Sequence, residues 1–138
     1  MGKQTENVID FITACDTGQG WAVCAKYCDE DASFSSQCDE LAAMNTVSEY
    51  CDWMRDLLKA MPNATFELKS FGYDSVRNNV TVYSVFTGTH THDAGPVAPT
   101  GKTFVADYVY AMEFINGRIR HVTKVWNAPW TLRELGWD

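Results

Sequence analysis

A chain of 138 residues with 46% apolar and 21% charged residues has the size and make-up of a single domain, residues 1–138. Its 18 Asp and Glu against 11 Lys and Arg leave a net charge of −7, which repels phosphate backbones and excludes nucleic acid as an expected partner. No apolar run approaches the ~20 residues that span a bilayer, and the opening MGKQTENVID has no apolar signal core. The expectation is a cytoplasmic protein without membrane attachment.

In chain order, Thr5 is placed to cap a first helix with Val8, Ile9, Ile12 and Cys15 on its apolar face, stopped by DTGQG. A second short helix would carry Trp21, Cys24 and Cys28. DASFSSQ then reads as a brief extended segment. Thr46-Val-Ser-Glu49 has the capping-box pattern. It opens a helix with Val47, Tyr50, Cys51, Met54, Leu58 and Met61 at helical spacing. Four strand candidates follow, at about 64–75, 79–92, 102–115 and 118–128, in alternating runs. Asn116-Gly117 between the last two favours a two-residue type I′ hairpin. Helices followed by an antiparallel sheet predict an α+β layer fold, with the helices over one face and a ligand pocket between.

The cysteines are Cys15, Cys24, Cys28, Cys38 and Cys51. Their odd number points to free thiols in a reducing compartment. Cys24 and Cys28, four apart, read as packed core more readily than as metal ligands.

The hairpin assigns the faces. If Ile115 pairs with Arg118, strict alternation puts Ala106, Tyr108, Tyr110, Met112 and Phe114 on the inner face. Ile119, His121, Thr123, Val125 and Asn127 fall beside them. Extending the register to the preceding strand turns Val80, Val82, Ser84, Phe86, Gly88 and His90 inward. Gly88 then lies opposite Ala106, and the two small residues leave room beside the Asn127 amide. The outer face carries Val109, Ala111, Val122 and Trp126 among charges. That apolar patch predicts a homodimer through the outer sheet face.

Several short motifs occur in order. They are Gly88-Thr89-His90 through APTGK (98–102), Asn116-Gly117-Arg118-Ile119, LRELG (132–136) and AMPNATFEL (60–68). Together they resemble the SnoaL-like polyketide cyclases of the nuclear transport factor 2-like superfamily. The resemblance spans the chain and is strongest from Gly88 on. It implies a cone-shaped, cystatin-like fold, in which N-terminal helices pack on a curved, mostly antiparallel sheet around a deep apolar pocket, and it implies a dimer. It also implies intramolecular aldol chemistry driven by a carboxylate near the chain end. Counting back from Gly136, that carboxylate position holds Asn127. The family's Gly two after the motif His is His92 here, and its Asp after the helix Pro is Asn63. An amide can donate and accept hydrogen bonds but cannot carry a proton to and from carbon.

Asn127 and His90 are therefore the candidate catalytic pair, the amide as donor to an oxyanion and the imidazole as base. A histidine merely closing the strand end is the plainer reading of His90, and a satisfied core histidine that of His121. Phe86, Tyr108, Tyr110, Met112, His121 and Thr123 are the candidate substrate-binding residues. His90, His92 and His121 invite a metal, but no inward carboxylate accompanies them, so no metal or other cofactor is expected. The favoured function is binding of a small apolar carbonyl compound, with isomerisation, aldol-type cyclisation or hydration by acid/base chemistry. The alternatives are a non-catalytic binding module, favoured by Asn127, and an assembly partner using the outer sheet face.

Overall fold

The computed structural model describes residues 2–138, with side chains from residue 5 onward. Among the described residues, four α-helices pack with one five-stranded mixed sheet that does not close on itself. Helix α1 is Gly2–Asp16, α2 Trp21–Cys24, α3 Val47–Leu58 and α4 Ala128–Leu135. Strands are β1 Cys28–Ser36, β2 Thr65–Asp74, β3 Asn79–Thr89, β4 Thr103–Ile115 and β5 Arg118–Trp126, in the order β1-β5-β4-β3-β2. The β1–β5 pair is parallel and the other pairs are antiparallel. Among the described residues no helix is long and apolar enough to cross a membrane.

Local chemistry accounts for most of these elements. Thr46 caps α3 with the full box: its hydroxyl accepts from Glu49 N at 3.2 Å, and Glu49 Oε1 accepts from Thr46 N at 3.1 Å. Val47, Tyr50, Cys51 and Met54 are its buried face. Asn116 and Gly117 both have positive φ, 54° and 76°, as a type I′ turn requires.

Three expectations in the first half need correction. Helix α1 begins at Gly2, so Thr5 lies inside it rather than capping it. Its buried face is Val8, Phe11, Ile12 and Cys15, while Ile9 is 43% exposed. After α2 a 3₁₀ turn at Ala25–Tyr27 leads directly into β1, so Cys28 opens a strand and shares no helical face with Cys24. All five cysteines are buried and free.

The largest difference lies in β5. Ile115 pairs with Arg118 and Phe114 with Ile119, as the turn dictates, but Glu113 then pairs with His121. Arg120 is the extra residue of a β-bulge. The parallel partner skips at the same place, with Cys28 opposite Ile119 and Ser33 opposite His121. Beyond the bulge every side chain of β5 changes face. Val122, Lys124 and Trp126 turn inward, opposite Met112, Tyr110 and Tyr108. His121, Thr123 and Val125 turn outward.

In β3 the even-numbered residues face the core as expected. The pairing is offset by two, however, with Phe86 opposite Ala106 and Gly88 opposite Phe104. A Cβ at Gly88 would meet Met61 Sδ at 3.0 Å and Phe104 at 3.1 Å. The space beside this glycine is filled.

Candidate functional site

The bulge places Lys124 among the inner-face aromatics, and this decides the site. Lys124 is 6% exposed. Its Nζ donates to the Tyr50 hydroxyl at 2.8 Å. It also lies 4.6–5.6 Å from the ring centres of Trp126, Tyr50, Tyr108 and Trp53, within cation–π range. No carboxylate lies within 4 Å of it among the described residues.

From Tyr50 a chain of hydroxyls runs inward. The Tyr50 and Tyr110 oxygens are 2.6 Å apart. Tyr110 donates to Asp16 Oδ1 at 2.7 Å, and Tyr108 donates to Oδ2 at 2.6 Å. Because the Tyr110 proton is given to Asp16, Tyr50 must be the donor to Tyr110. The chain therefore has one direction: Lys124 to Tyr50 to Tyr110 to Asp16.

Asp16 is fully buried at the C-terminal end of α1. Burial pushes its carboxyl up to about 6, against the pull of the two tyrosine hydroxyls and Lys124. Burial pushes Lys124 down to about 8, with Asp16 the main opposing influence. Tyr50, Tyr108 and Tyr110 are all held above the usual phenol range by burial first and by neighbouring negative groups second. Two groups of opposite charge are thus brought toward neutrality by the same dry surroundings.

Lys124 faces a small inner cavity of about 30 Å³, lined also by Trp53, Met54, Phe86, Phe104, Tyr108 and Tyr110. That is room for a water or one carbonyl group. A larger cavity of about 390 Å³ shares Trp53, Leu57, Phe104 and Trp126 with it. The larger space is walled by Met61, Leu132, Leu135 and Trp137, with Glu40 and Asp56 also on its lining. Its volume and apolar walls are those of a small-molecule site.

The candidates expected from the sequence are dispersed. Phe86, Tyr108 and Tyr110 line the inner cavity. Met112 is core, fully buried opposite Val80 and Val122. His121 and Thr123 lie on the outer face. His121 Nδ1 is 2.6 Å from Ser33 Oγ, and its Nε2 is 3.0 Å from Ser35 Oγ and 3.1 Å from Thr123 Oγ1.

His90 is fully buried, but it ties a loop rather than lining either cavity. Its Nδ1 accepts from Trp137 Nε1 at 2.8 Å and from Thr100 N at 3.3 Å. With Nδ1 accepting, Nε2 carries the proton and donates to His92 O at 2.9 Å. Gly95 passes so close that a Cβ there would be 2.9 Å from Trp137 and 3.3 Å from His90.

Asn127 is exposed and caps α4: its Oδ1 accepts from Trp130 N at 3.1 Å. Asn127 and His90 do not converge, because the bulge turned the end of β5 away from the register that would have joined them.

The residues missed were Lys124 and Asp16. Asp16 follows Val8, Ile12 and Cys15 at helical spacing, so an acid stood on the apolar face of α1. Lys124 stood two from Val122 and two from Trp126, the apolar frame that competes with Ile119-His121-Thr123. One further cluster lies nearby. Cys15, Cys24 and Cys51 bring their sulfurs within 4.8 Å of one another, the one such group of potential metal donors among the described residues. They sit in the apolar core and line neither cavity.

The fold is the nuclear transport factor 2-like cone. AclR from Streptomyces galilaeus, a proposed hydroxylase, superposes with a TM-score of 0.79 at 21% identity, covering 100% of this chain and 87% of that one. A proposed SnoaL-like polyketide cyclase from Jannaschia sp. CCS1 gives 0.76 at 15% identity, with coverage of 100% and 96%. A proposed polyketide cyclase from Acidithiobacillus ferrooxidans gives 0.78 at 18% identity, with coverage of 98% and 95%. Identities this low speak to the fold alone. A search of curated proteins found no match. The sequence profile of the SnoaL-like polyketide cyclases, however, matches residues 6–135, and the chain belongs to that family.

Proposed function

We propose that this protein binds a small apolar carbonyl compound in the 390 Å³ cavity and transfers a proton on it, in an isomerisation or aldol-type step. The observation that carries this reading is Lys124, a buried amine on the wall of an otherwise apolar recess, at the end of a one-way hydroxyl chain to a buried acid.

The apolar walls hold the body of the ligand, and its carbonyl meets Lys124. As an ammonium, Lys124 stabilises the negative charge that develops on the oxygen of an enolate. As a free amine it takes the α-proton. The chain through Tyr50 and Tyr110 links these two states without solvent. One proton hop along each hydroxyl moves a proton from Lys124 to Asp16 and leaves both neutral. With values near 8 and 6, the charged pair is the resting state at neutral pH, and the shared burial brings the neutral pair within reach. A positioned base is typically worth 10²–10⁴-fold. Asn127, at the family's acid position, has no part in this scheme.

The test is deuterium exchange at the α-carbon of an apolar β-dicarbonyl compound, followed by NMR. The expected result is exchange above the buffer rate, lowered at least 100-fold by Lys124→Met and lowered partly by Tyr50→Phe. Exchange unchanged in Lys124→Met would overturn the proposal. A second reading, carriage without chemistry, is favoured by the four ring contacts of Lys124, which hold its charged form. Saturable ligand uptake with exchange at the buffer rate would select it.

A further inference from the structure

We infer that Lys124 is a nucleophile as well as a proton carrier, and that it forms a transient imine with an aldehyde or ketone held in the cone. This rests on the reading above, that a carbonyl compound enters the cavity, and it names what happens to it there.

Three features of the structure carry the inference. The amine is held by a single hydroxyl, Tyr50 at 2.8 Å, and has no carboxylate partner within 4 Å among the described residues. The Nζ lone pair can therefore be freed without breaking an ion pair. A space of about 30 Å³ adjoins it and shares the walls Trp53, Leu57, Phe104 and Trp126 with the larger cavity. A carbonyl group fits there while its apolar substituents stay outside. The surroundings are aromatic and dry, which favours a reaction that expels water. Burial also enlarges the free-amine fraction. With a pKa near 8, about a tenth of Lys124 is unprotonated at neutral pH.

The step balances without any co-reactant. The Nζ lone pair forms the C–N bond as the carbonyl π pair moves to oxygen. An N–H proton of the adduct passes to that oxygen, giving a neutral carbinolamine. The nitrogen pair then forms the C=N bond as the C–O bond breaks. The oxygen leaves as water with the last N–H proton. The sum is ketone plus amine giving imine plus water, with no change of oxidation state. Nζ, ringed by four aromatic side chains, is left as a neutral imine nitrogen that needs no counter-ion.

Two probes test it on the intact protein. 2-Heptanone followed by borohydride reduction should leave one stable secondary amine per chain, placed on Lys124 by peptide mapping. Acetylacetone should give an enaminone absorbance and a mass gain of the probe less one water. Both signals should vanish in Lys124→Met, with folding checked by circular dichroism. Mapping of the wild-type adduct identifies the site even if that variant does not fold. Absence of an adduct, or an adduct spread over exposed lysines such as Lys59 and Lys69, overturns the inference. Lys124-dependent deuterium exchange without any adduct would overturn the imine alone and leave the proton-transfer reading standing. Loss of both exchange and ligand uptake would remove both.

Discussion

Lys124 controls both the proposed chemistry and the cost of keeping it. A buried ammonium is expensive, and the expense shows in its pKa of about 8 against an ordinary 10.5. Below pH 8 both folded and unfolded chains hold the proton, so the burial cost is fully present. Between pH 8 and 10.5 the unfolded chain still holds it and the folded chain does not, so this group makes stability rise with pH. Over that window its contribution amounts to about 3 kcal/mol. At pH 7 Lys124→Met removes the burial cost of the ammonium but leaves the buried Asp16 carboxylate without its opposing charge, so we expect it to be less stable than wild type. Its stability relative to wild type should fall by up to about 3 kcal/mol more by pH 10.5. Urea unfolding of both proteins at the two pH values measures this. A stability difference independent of pH would show that Lys124 does not titrate in that window in the folded protein.

The elements owe their placement to one inserted residue and one cap. Arg120 bulges β5, and the frame that emerges sends Lys124 in and His121 out. The same strand ends at Trp126, and the next side chain, Asn127, is spent on the first turn of α4. Asp caps a helix as well as Asn does. Asn127→Asp should therefore leave thermal stability within about 0.5 kcal/mol of wild type, and Asn127→Ala should cost about 1 kcal/mol. Thermal denaturation of the two variants tests this; equal losses in both would deny the cap its role. The candidate site was half legible in the sequence for the same reason. Phe86, Tyr108 and Tyr110 lie before the bulge, where alternation holds. Everything after it was read on the wrong face. His90 was legible as an inward residue, but its partners Trp137, Thr100 and His92 come from a loop and the chain end that no strand period predicts.

At the scale of the whole molecule, the outer sheet face is the remaining open surface of interest. The dimer patch expected there included Val122 and Trp126, which the bulge turned inward. Tyr83 and Val125 replace them, in one row with Val109 across β3, β4 and β5. Val125 is 61% exposed and Tyr83 37%. We propose that a second copy of the chain packs on this row, since a two-fold pair is the commonest way to cover such a face. Light scattering should find a dimer for wild type and a monomer for Val125→Glu. A wild-type monomer at high micromolar concentration would refute it, as would an intact Val125→Glu dimer.

The sequence by itself determined the order of helices and strands through β5, the capping box of α3, the type I′ turn at Asn116-Gly117 and the inner faces of β3 and β4. These follow from interactions within a few residues of each other, or from a period that a single strand keeps. The resemblance carried by its motifs, from Gly88 to the chain end, also identified the family. Only the tertiary structure decided the face of β5 and the membership of the polar cluster. The bulge at Arg120 faces two neighbours at once, β4 on one side and β1 on the other, and both pairings shift register there. Asp16, Tyr50, Tyr110 and Lys124 are far apart in sequence, on α1, α3, β4 and β5. They meet because a buried acid and a buried amine must find hydrogen-bond partners wherever the packing leaves them.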